Sequence, residues 1–361
     1  MTNVLLTLLA GLLAALSLNA RAQSPTLFSG TLTLELNDRV SSTDPGTRND
    51  LYGLVEANVW MHLSPQVAIQ AVATLEPLAD PEPLRDRIFE HEDVRWKDVF
   101  IQYDNGTFGA RAGRLTANFG TAWYAAQGLD ARALAEDYVV WDRMGASGWY
   151  RFKPDGGGTL TLGSSWFFTD TSKLSESWRN TWHRRKQEHG GVSNTGKPES
   201  WTVSIEGSEH PGLPALNWHV ALRRQAVDSR RDALGNQTRD VADEHGAVAS
   251  LQNVFSLGQT LRFTALAEAA LLSNRGGVPG ASARYLTLGG TFGFGPWSLQ
   301  LATTERWRRG NTVSEDDNLV SVTLGYKFSD HLLVDAGWRK TRIGSADEDQ
   351  VRARLKYVLA F

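Results

Sequence analysis

The last eleven residues of the chain, 351–361, constrain its fold more than any other segment. Side chains alternate between the two faces of a strand, so this segment presents one apolar face and one basic face. The apolar face carries Val351, Ala353, Leu355, Tyr357, Leu359 and Phe361, and the basic face carries Arg352, Arg354 and Lys356. A core strand of a soluble sandwich cannot bury such a basic face, whereas a wall between lipid and water accommodates both faces. The segment therefore predicts a transmembrane β-barrel.

The composition of the 361-residue chain excludes several other classes of protein. Its 37 Lys and Arg against 40 Asp and Glu give a formal charge of -3, whereas nucleic-acid binding calls for a basic surplus. The absence of Cys rules out disulfides and thiolate sites. Charged residues make up 21% of the chain, and a barrel with a wet interior has such an average because half of each strand is polar.

The beginning of the chain has the pattern of a secretory leader. An apolar run at residues 4–18 is too short for a comfortable transmembrane helix, and the small-residue sequence Ala20-Arg21-Ala22 follows it. This pattern predicts a signal peptide at 1–22 that is cleaved before Gln23. Because Gln23 is not a cysteine, we do not expect a lipid anchor there. Residues 23–361 are predicted to form one transmembrane domain.

Alternating segments of strand length follow one another from residue 28 to the end. Short turns alternate with long connections, as in outer-membrane barrels with short periplasmic turns and long extracellular loops. We therefore predict an all-β fold, a transmembrane antiparallel β-barrel of about sixteen strands. A soluble propeller or large sandwich is the alternative, but we find no blade repeat. The predicted strands are 28–36, 51–63, 67–76, 99–103, 108–115, 144–152, 159–168, 201–209, 216–227, 246–257, 260–272, 284–294, 297–307, 319–328, 332–341 and 351–361.

The long connection 116–143 is the segment best suited to lie inside the barrel. A barrel of this size encloses an aqueous channel rather than a core filled by side chains. The aromatic and aliphatic residues of the connection suit packing against the wall, and its charged residues suit the water of the channel. The apolar set is Phe119, Trp123, Tyr124, Leu129, Leu134, Tyr138 and Trp141, and the charged set is Asp130, Arg132, Glu136, Asp137, Asp142 and Arg143. We predict that this inward-folded loop narrows the pore.

The hairpin that leads into this loop, 105–114, resembles one in Gram-negative porins, where a Gly-x-Phe-Gly strand ends in Gly-Arg before the constriction loop. The matching residues are Gly106, Phe108, Gly109, Gly113 and Arg114. Segments 119–123 and 135–138 resemble loop segments of less-studied outer-membrane porins, whereas the acidic Pro-Glu-Phe-Gly-type pattern of the best-known general porins is absent. The resemblance implies a sixteen-stranded, general-diffusion-porin-like channel. It also implies that the terminal Phe361 is a signal read by the barrel assembly machinery.

In such porins the loop carboxylates face a cluster of wall arginines, which creates a transverse field across the pore. Strand alternation here gives inward basic residues at Arg111, Arg223, Arg262, Arg306, Arg339, Arg352, Arg354 and Lys356, and inward acids at Glu35, Glu56, Glu76, Glu268 and Asp335. The basic excess predicts a weak anion preference, or a mixed field if the loop acids lie at the narrowest point. Alternatively, the arginines are solvated or are structural partners of acids. The predicted constriction and selectivity residues are Arg111, Arg114, Asp130, Arg132, Glu136, Asp137, Arg143, Arg223, Arg262, Arg306, Arg339, Arg352 and Arg354.

These features predict a porin in the outer membrane of a Gram-negative bacterium, a water-filled channel for passive diffusion of small hydrophilic solutes and ions. A substrate-selective channel for phosphate or small organic anions is the nearest alternative. An adhesin that uses loop 169–200, or an enzyme with a rim site at His183, His189 or His245, is more distant. Nucleotide-binding, zinc-protease and nucleophile-elbow motifs do not occur in the sequence. We therefore expect neither enzymatic activity nor a cofactor or metal.

The expected partners follow from the predicted location and from the resemblance. They are outer-membrane lipid and lipopolysaccharide, the barrel assembly machinery, the permeating solutes and two further copies of the chain in a homotrimer, with no nucleic acid. A basic aromatic patch at 178–186 is a candidate for contact with lipopolysaccharide phosphates or for simple solvation in a loop.

Overall fold

The computed structural model describes residues 27–44, 46, 49–179, 184–228, 240–310 and 314–361. Sixteen long antiparallel strands form one sheet, as the alternation predicted. The predicted signal peptide at 1–22 lies outside the described residues. The strands are β1 Phe28–Ser42, β2 Asp50–His62, β3 Val67–Pro77, β4 Glu92–Asp104, β5 Phe108–Ala117, β6 Val140–Phe152, β7 Thr159–Thr169, β8 Ser200–Ser208, β9 Asn217–Gln225, β10 Glu244–Leu257, β11 Leu261–Ser273, β12 Ser282–Phe294, β13 Trp297–Arg309, β14 Ser314–Lys327, β15 Leu332–Ile343 and β16 Ala346–Ala360.

The sheet closes on itself because β16 pairs with β1 as well as with β15. At the seam the amide of Gly30 donates to the carbonyl of Phe361 at 2.9 Å, and the amide of Phe361 donates back at 3.1 Å. Closure satisfies the backbone groups of both edge strands, which lipid cannot do. The predicted all-β antiparallel barrel of about sixteen strands is therefore confirmed.

The remaining elements are short. The two-residue strand Arg87–Ile88 pairs in parallel with the start of β2, and Gly191–Val192 pairs with Val227–Asp228. Helix α1 is the single turn Ala122–Ala125. Single 3-10 turns occur at Ala135–Tyr138, Lys173–Ser175, Gln187–His189 and Arg275–Gly277. Among the described residues, none of the helices is both long enough and apolar enough to cross a membrane.

The two faces of the wall differ as the alternation requires. On β12, Leu286 and Leu288 point outward and are 38% and 45% exposed, whereas Tyr285 and Thr287 point inward and are 2% and 0% exposed. Inward residues are buried because the connection between β5 and β6 and the neighbouring strands cover them. The outer face is therefore apolar and the inner face is polar or packed against the loop.

The connections divide the barrel into two ends. At the turn end lie 63–66, 105–107, 153–158, 209–216, 258–260, 295–296 and 328–331, together with Phe28 and Phe361. At the loop end lie the described parts of the other connections, 43–44, 46, 49, 78–91, 118–139, 170–179, 184–199, 226–228, 240–243, 274–281, 310 and 344–345. The longest connections all belong to the loop end. This matches the arrangement of short turns on one side and long loops on the other that the sequence predicted.

Several strands, among them β4 and β14, begin earlier than predicted because charged residues belong to them. β4 begins at Glu92 rather than at residue 99, and its Arg95 and Lys97 pair with Glu76 and Glu56 of the adjoining wall at 2.5 Å and 3.2 Å. β14 begins at Ser314 rather than at residue 319. Charged side chains in this barrel face water or pair with an opposite charge on a neighbouring strand. A run of charged residues in the sequence therefore does not mark the end of a strand.

Candidate functional site

The connection 118–139 between β5 and β6, here the constriction loop, folds into the barrel. It is shorter than the predicted 116–143, because Thr116 and Arg143 lie within strands. Phe119, Ala122 and Tyr138 of the loop are almost fully buried and join a hydrophobic cluster with wall residues of β11 and β12. Packing of these apolar residues against the wall stabilises the inward course of the loop. The predicted inward-folded loop is confirmed.

Glu268 on β11 binds both ends of the constriction loop. Its carboxylate accepts hydrogen bonds from the Thr121 amide at 2.5 Å and hydroxyl at 2.9 Å, and from the Ala122 amide at 3.1 Å. The Tyr138 hydroxyl donates to the same carboxylate at 2.5 Å. Glu268 is 1% exposed, so these four bonds replace its hydration. The sequence placed Glu268 in the lumen but did not identify it as an anchor of the loop.

A second set of bonds joins the loop to β9. The Gly120 amide donates to His219 Nε2 at 3.2 Å. The Arg223 guanidinium lies 4.4 Å from the centre of the Phe119 ring, donates to the Tyr138 carbonyl and pairs with Glu244 at 2.6 Å. Arg223 is 3% exposed. It therefore packs against the loop rather than facing the water of the channel, and its predicted role in selectivity stays a prediction.

The middle of the loop crosses to the opposite wall. The Leu129 amide donates to Thr323 Oγ1 at 3.0 Å, and Ser321 Oγ donates to the Leu129 carbonyl at 3.2 Å. The next residue, Asp130, has a φ of 53° and pairs with Arg339 at 3.3 Å and with Arg352. A loop carboxylate and two wall arginines from β15 and β16 are thus in direct contact. The resemblance implied charges that face each other across the pore, and that transverse field stays a prediction.

Asp137 makes the corresponding contact on β13. It pairs with Arg306, whose guanidinium also holds Asp317 of β14 at 2.8 Å. Arg275 lies 3.5 Å from the same carboxylate, and the Tyr285 hydroxyl donates to it at 3.3 Å. Asp137 therefore serves mainly to fix the loop against the wall.

Arg132 and Glu136 are the loop charges that remain most accessible to water. They pair with each other at 3.2 Å, and their side chains are 52% and 38% exposed. Despite this exposure, the loop and wall partly desolvate the Glu136 carboxylate and raise its pKa above its ordinary value; Arg132 opposes the shift and the nearby Asp130 adds to it. Protonation of Glu136 thus removes negative charge from the loop at a higher pH than an ordinary glutamate would.

The other predicted site residues are dispersed. Arg354 pairs with Asp335 at 2.5 Å on the wall, and Arg143 lies in β6 and donates to Gln225 at 3.3 Å. Arg114 is 2% exposed and is held by Asp142 and Asp170, so its side chain is buried, and its predicted role at the constriction stays a prediction.

Arg262 lies at the turn end, beyond the constriction. Its side chain is exposed, and none of the ion pairs in the described part of the chain involves it. Arg111 lies over the Phe100 ring at 5.1 Å and donates to the Thr116 carbonyl at 2.9 Å. It lines a recess of about 460 Å³ between the loop and β4–β8, together with Asp98, Trp149 and Glu206. This recess opens off the channel beside the constriction loop.

The anchoring role of Glu268 could have been inferred from the sequence together with the strand register. Its cross-strand neighbours are Ser250 on β10 and Thr287 on β12, and neither is basic. An inward carboxylate without a cation on the adjoining strands requires donors from elsewhere, and the constriction loop supplies them. Among the described residues, no group of three His, Asp or Glu side chains is arranged to hold a metal ion.

Comparison with known proteins shows similarity of structure alone. No protein-family model and no curated protein sequence matches the chain. Three solved structures illustrate the likeness, and each match covers 92% of this chain. OprB of Pseudomonas putida at high pH is 12% identical with a TM-score of 0.59, and 94% of its chain is covered.

The other two are OpdK of Pseudomonas aeruginosa, at 13% identity and 99% coverage of its chain, and the anion-selective porin of Comamonas acidovorans, at 10% and 98%. Both have a TM-score of 0.53. The chain therefore has the closed sixteen-strand barrel fold of outer-membrane porins.

Proposed function

We propose that the chain is an outer-membrane porin of a Gram-negative bacterium, a water-filled channel for passive diffusion of small hydrophilic solutes and ions. One observation carries the proposal: a closed barrel is crossed by an inward loop whose Asp130 pairs with Arg339 and Arg352 of the inner wall. An apolar outer face and a polar, charged inner face suit a wall between lipid and water. The loop then sets the width and the field of the narrowest part.

The proposed channel has a mixed field with a weak preference for anions. Asp130 is shared by two arginines, so this contact leaves a surplus of one positive charge facing the channel. Several other wall cations are matched, as in Glu35 with Lys356 at 3.1 Å and Asp335 with Arg354, whereas Arg262 takes part in none of the ion pairs of the described residues. Each ion pair largely cancels the potential of its two charges at a distance. The small surplus of positive charge therefore gives only a modest selectivity for anions.

Single-channel recording in a planar bilayer under a KCl gradient tests this function. The wild type should give stable conductance steps and a reversal potential slightly on the anion side. Deleting residues 122–133 should enlarge the steps, because this segment crosses the lumen between Glu268 and Arg352. Unchanged conductance of a folded deletion variant would show that the loop does not narrow the pore. Absence of current from folded wild-type protein would refute the channel itself.

The same recordings address the proposed oligomer. The resemblance implies a homotrimer, and one similar structure, OmpT of Vibrio cholerae, is described as a trimer form at 13% identity and a TM-score of 0.52. Steps grouped in threes, together with the mass of the detergent-solubilised protein, should report three chains. A mass of one chain with single steps would contradict the trimer.

A second candidate function is a substrate-selective channel for small anions. It is favoured by the two guanidinium groups of Arg339 and Arg352, which hold a carboxylate inside the lumen. A carboxylate or phosphate of a solute has the charge and geometry to take the place of Asp130 there. Current through such a channel should be blocked by one anion, among acetate, succinate and phosphate, at low concentration. A general porin should respond equally weakly to all three.

A further inference from the structure

A recess of about 410 Å³ lies on the wall between β12 and β13, near the loop end of the barrel. It is lined by Ser282 and Arg284 of β12 and by Trp307 and Arg309 of β13. Arg284 is directly opposite Trp307 in the strand register, and Ser282 is directly opposite Arg309. The four side chains therefore form one compact group of two guanidiniums, a hydroxyl and an indole.

This group belongs to the outer surface. On β12, Ser282 and Arg284 share a face with the exposed Leu286 and Leu288, whereas Tyr285 on the opposite face is buried against the constriction loop. Side chains two residues apart on a strand point to the same face. The recess is thus separated from the channel by the barrel wall.

The height of the recess corresponds to lipid head groups. Outward residues of β12 are apolar or glycine from Leu286 to Phe294, a span of about 26 Å along the strand and about 20 Å across the membrane at a tilt of about 40°. The apolar band of such barrels is about 25 Å tall. Arg284, together with Glu305 directly opposite Leu286, therefore marks the upper border of the band, and Trp307 beside Arg284 is an aromatic residue of the kind that borders lipid interfaces.

The charges of the recess are only partly compensated. Arg309 pairs with Asp316 of β14 at 2.5 Å. Arg284 is exposed and takes part in none of the ion pairs found among the described residues. Outward basic residues elsewhere in this belt are matched, since Arg342 pairs with Asp347 at 2.7 Å and Lys340 with Asp349 at 3.7 Å. A guanidinium on the lipid-facing side, next to a second one, is suited to bind a phosphate through two parallel hydrogen bonds.

We propose that this recess binds the phosphate group of an outer-leaflet lipid, with Arg284 and Arg309 as the cations and Ser282 and Trp307 as additional donors. The inference rests on the proposed outer-membrane location but not on conduction, since the recess and the channel lie on opposite faces of the wall. Asp316 competes with the phosphate for Arg309 and limits the affinity.

The test uses the folded, full-length protein in maltoside micelles, with diphosphorylated lipid A as the probe and native mass spectrometry as the readout. Arg284→Gln should lower lipid A affinity about fivefold, which is the effect of one cation near a membrane surface. Asp316→Asn should raise it by a similar factor, because it frees Arg309. Arg342→Gln is the matched control, since it removes an outward arginine of the same belt that does not line the recess. It should leave the affinity unchanged.

Two further binding measurements distinguish a lipid phosphate from free phosphate. Lipid A without phosphates should bind to the wild type at least as weakly as the diphosphorylated form binds to Arg284→Gln, because it loses its contacts with Arg309 as well. Equal binding of the two lipids would overturn phosphate recognition. Inorganic phosphate at matched concentration should not displace the lipid, and full displacement would assign the recess to free phosphate instead. Arg284→Gln should conduct normally in a bilayer, so a failure of the lipid-binding proposal can be distinguished from a failure of the proposed channel function.

Discussion

Replacing Glu268 by alanine should loosen the constriction loop and leave the barrel intact. Glu268 accepts all of its hydrogen bonds from Thr121, Ala122 and Tyr138, which lie near the two ends of the loop. The barrel itself is held by backbone ladders between neighbouring strands, and these do not involve the Glu268 side chain. The perturbation therefore acts on the position of the loop rather than on the fold.

The size of the effect follows from the four bonds. At about 1.5 kcal/mol for each bond to a charged acceptor, their gross value is about 6 kcal/mol. Water in the widened site would solvate the freed donors, and we expect a net loss of about 2–3 kcal/mol from the free energy that holds the loop against the wall. Since about 1.4 kcal/mol is a factor of ten, the detached population should rise roughly 30- to 150-fold. The loop keeps its contacts to Thr323, Arg306 and Arg352, so it should fluctuate rather than leave the lumen.

The assay is single-channel recording of Glu268→Ala, compared with the wild type and with Glu35→Ala. Glu35 is also a wall carboxylate, but it is held by Lys356 at 3.1 Å and Arg354 at 3.7 Å. We expect larger open-channel noise and brief steps of higher conductance in Glu268→Ala only, with unchanged heat-modifiable mobility in gels. Traces identical to those of Glu35→Ala would refute the anchoring role of Glu268.

Three further predictions concern the loop charges and the seam. Asp130→Asn should move the reversal potential toward anions, because Arg339 loses its loop carboxylate, and a shift toward cations would contradict the proposed field. The raised pKa of Glu136 means that lowering the pH should first remove this loop charge and increase anion preference, and Glu136→Gln should abolish that first step in a pH series of reversal potentials. Deleting Phe361 should reduce the yield of heat-modifiable barrel in outer-membrane fractions, since its amide and carbonyl both bond to Gly30, and a normal yield would argue against an assembly role.

Much of the barrel follows from local patterns in the sequence. Alternation with a period of two is a property of each strand alone, so β16 reveals its lipid face and its water face before any partner is known. The sixteen strands and the inward loop could be predicted in this way. The start of β4 could not, because Arg95 and Lys97 suggest a solvated loop until their partners Glu76 and Glu56 on other strands are seen.

The electrostatics of the candidate site could be predicted only in part. Alternation correctly placed Arg223, Arg306 and Arg352 on the inner wall, but it gave no information on which of them remain accessible to water. Arg223 supports the loop from behind, Arg306 holds two acids, and Arg352 faces Asp130.

The sequence by itself thus determined the faces of the strands, the closed class of fold and the segment that enters the lumen, because these depend on residues close together in the chain. Only the tertiary structure decided which charges meet. Tyr138 and Glu268 are 130 residues apart, and Arg339 and Asp130 are 209 residues apart. Their contacts depend on strand register and on closure of the sheet, which bring distant strands to one side of the loop.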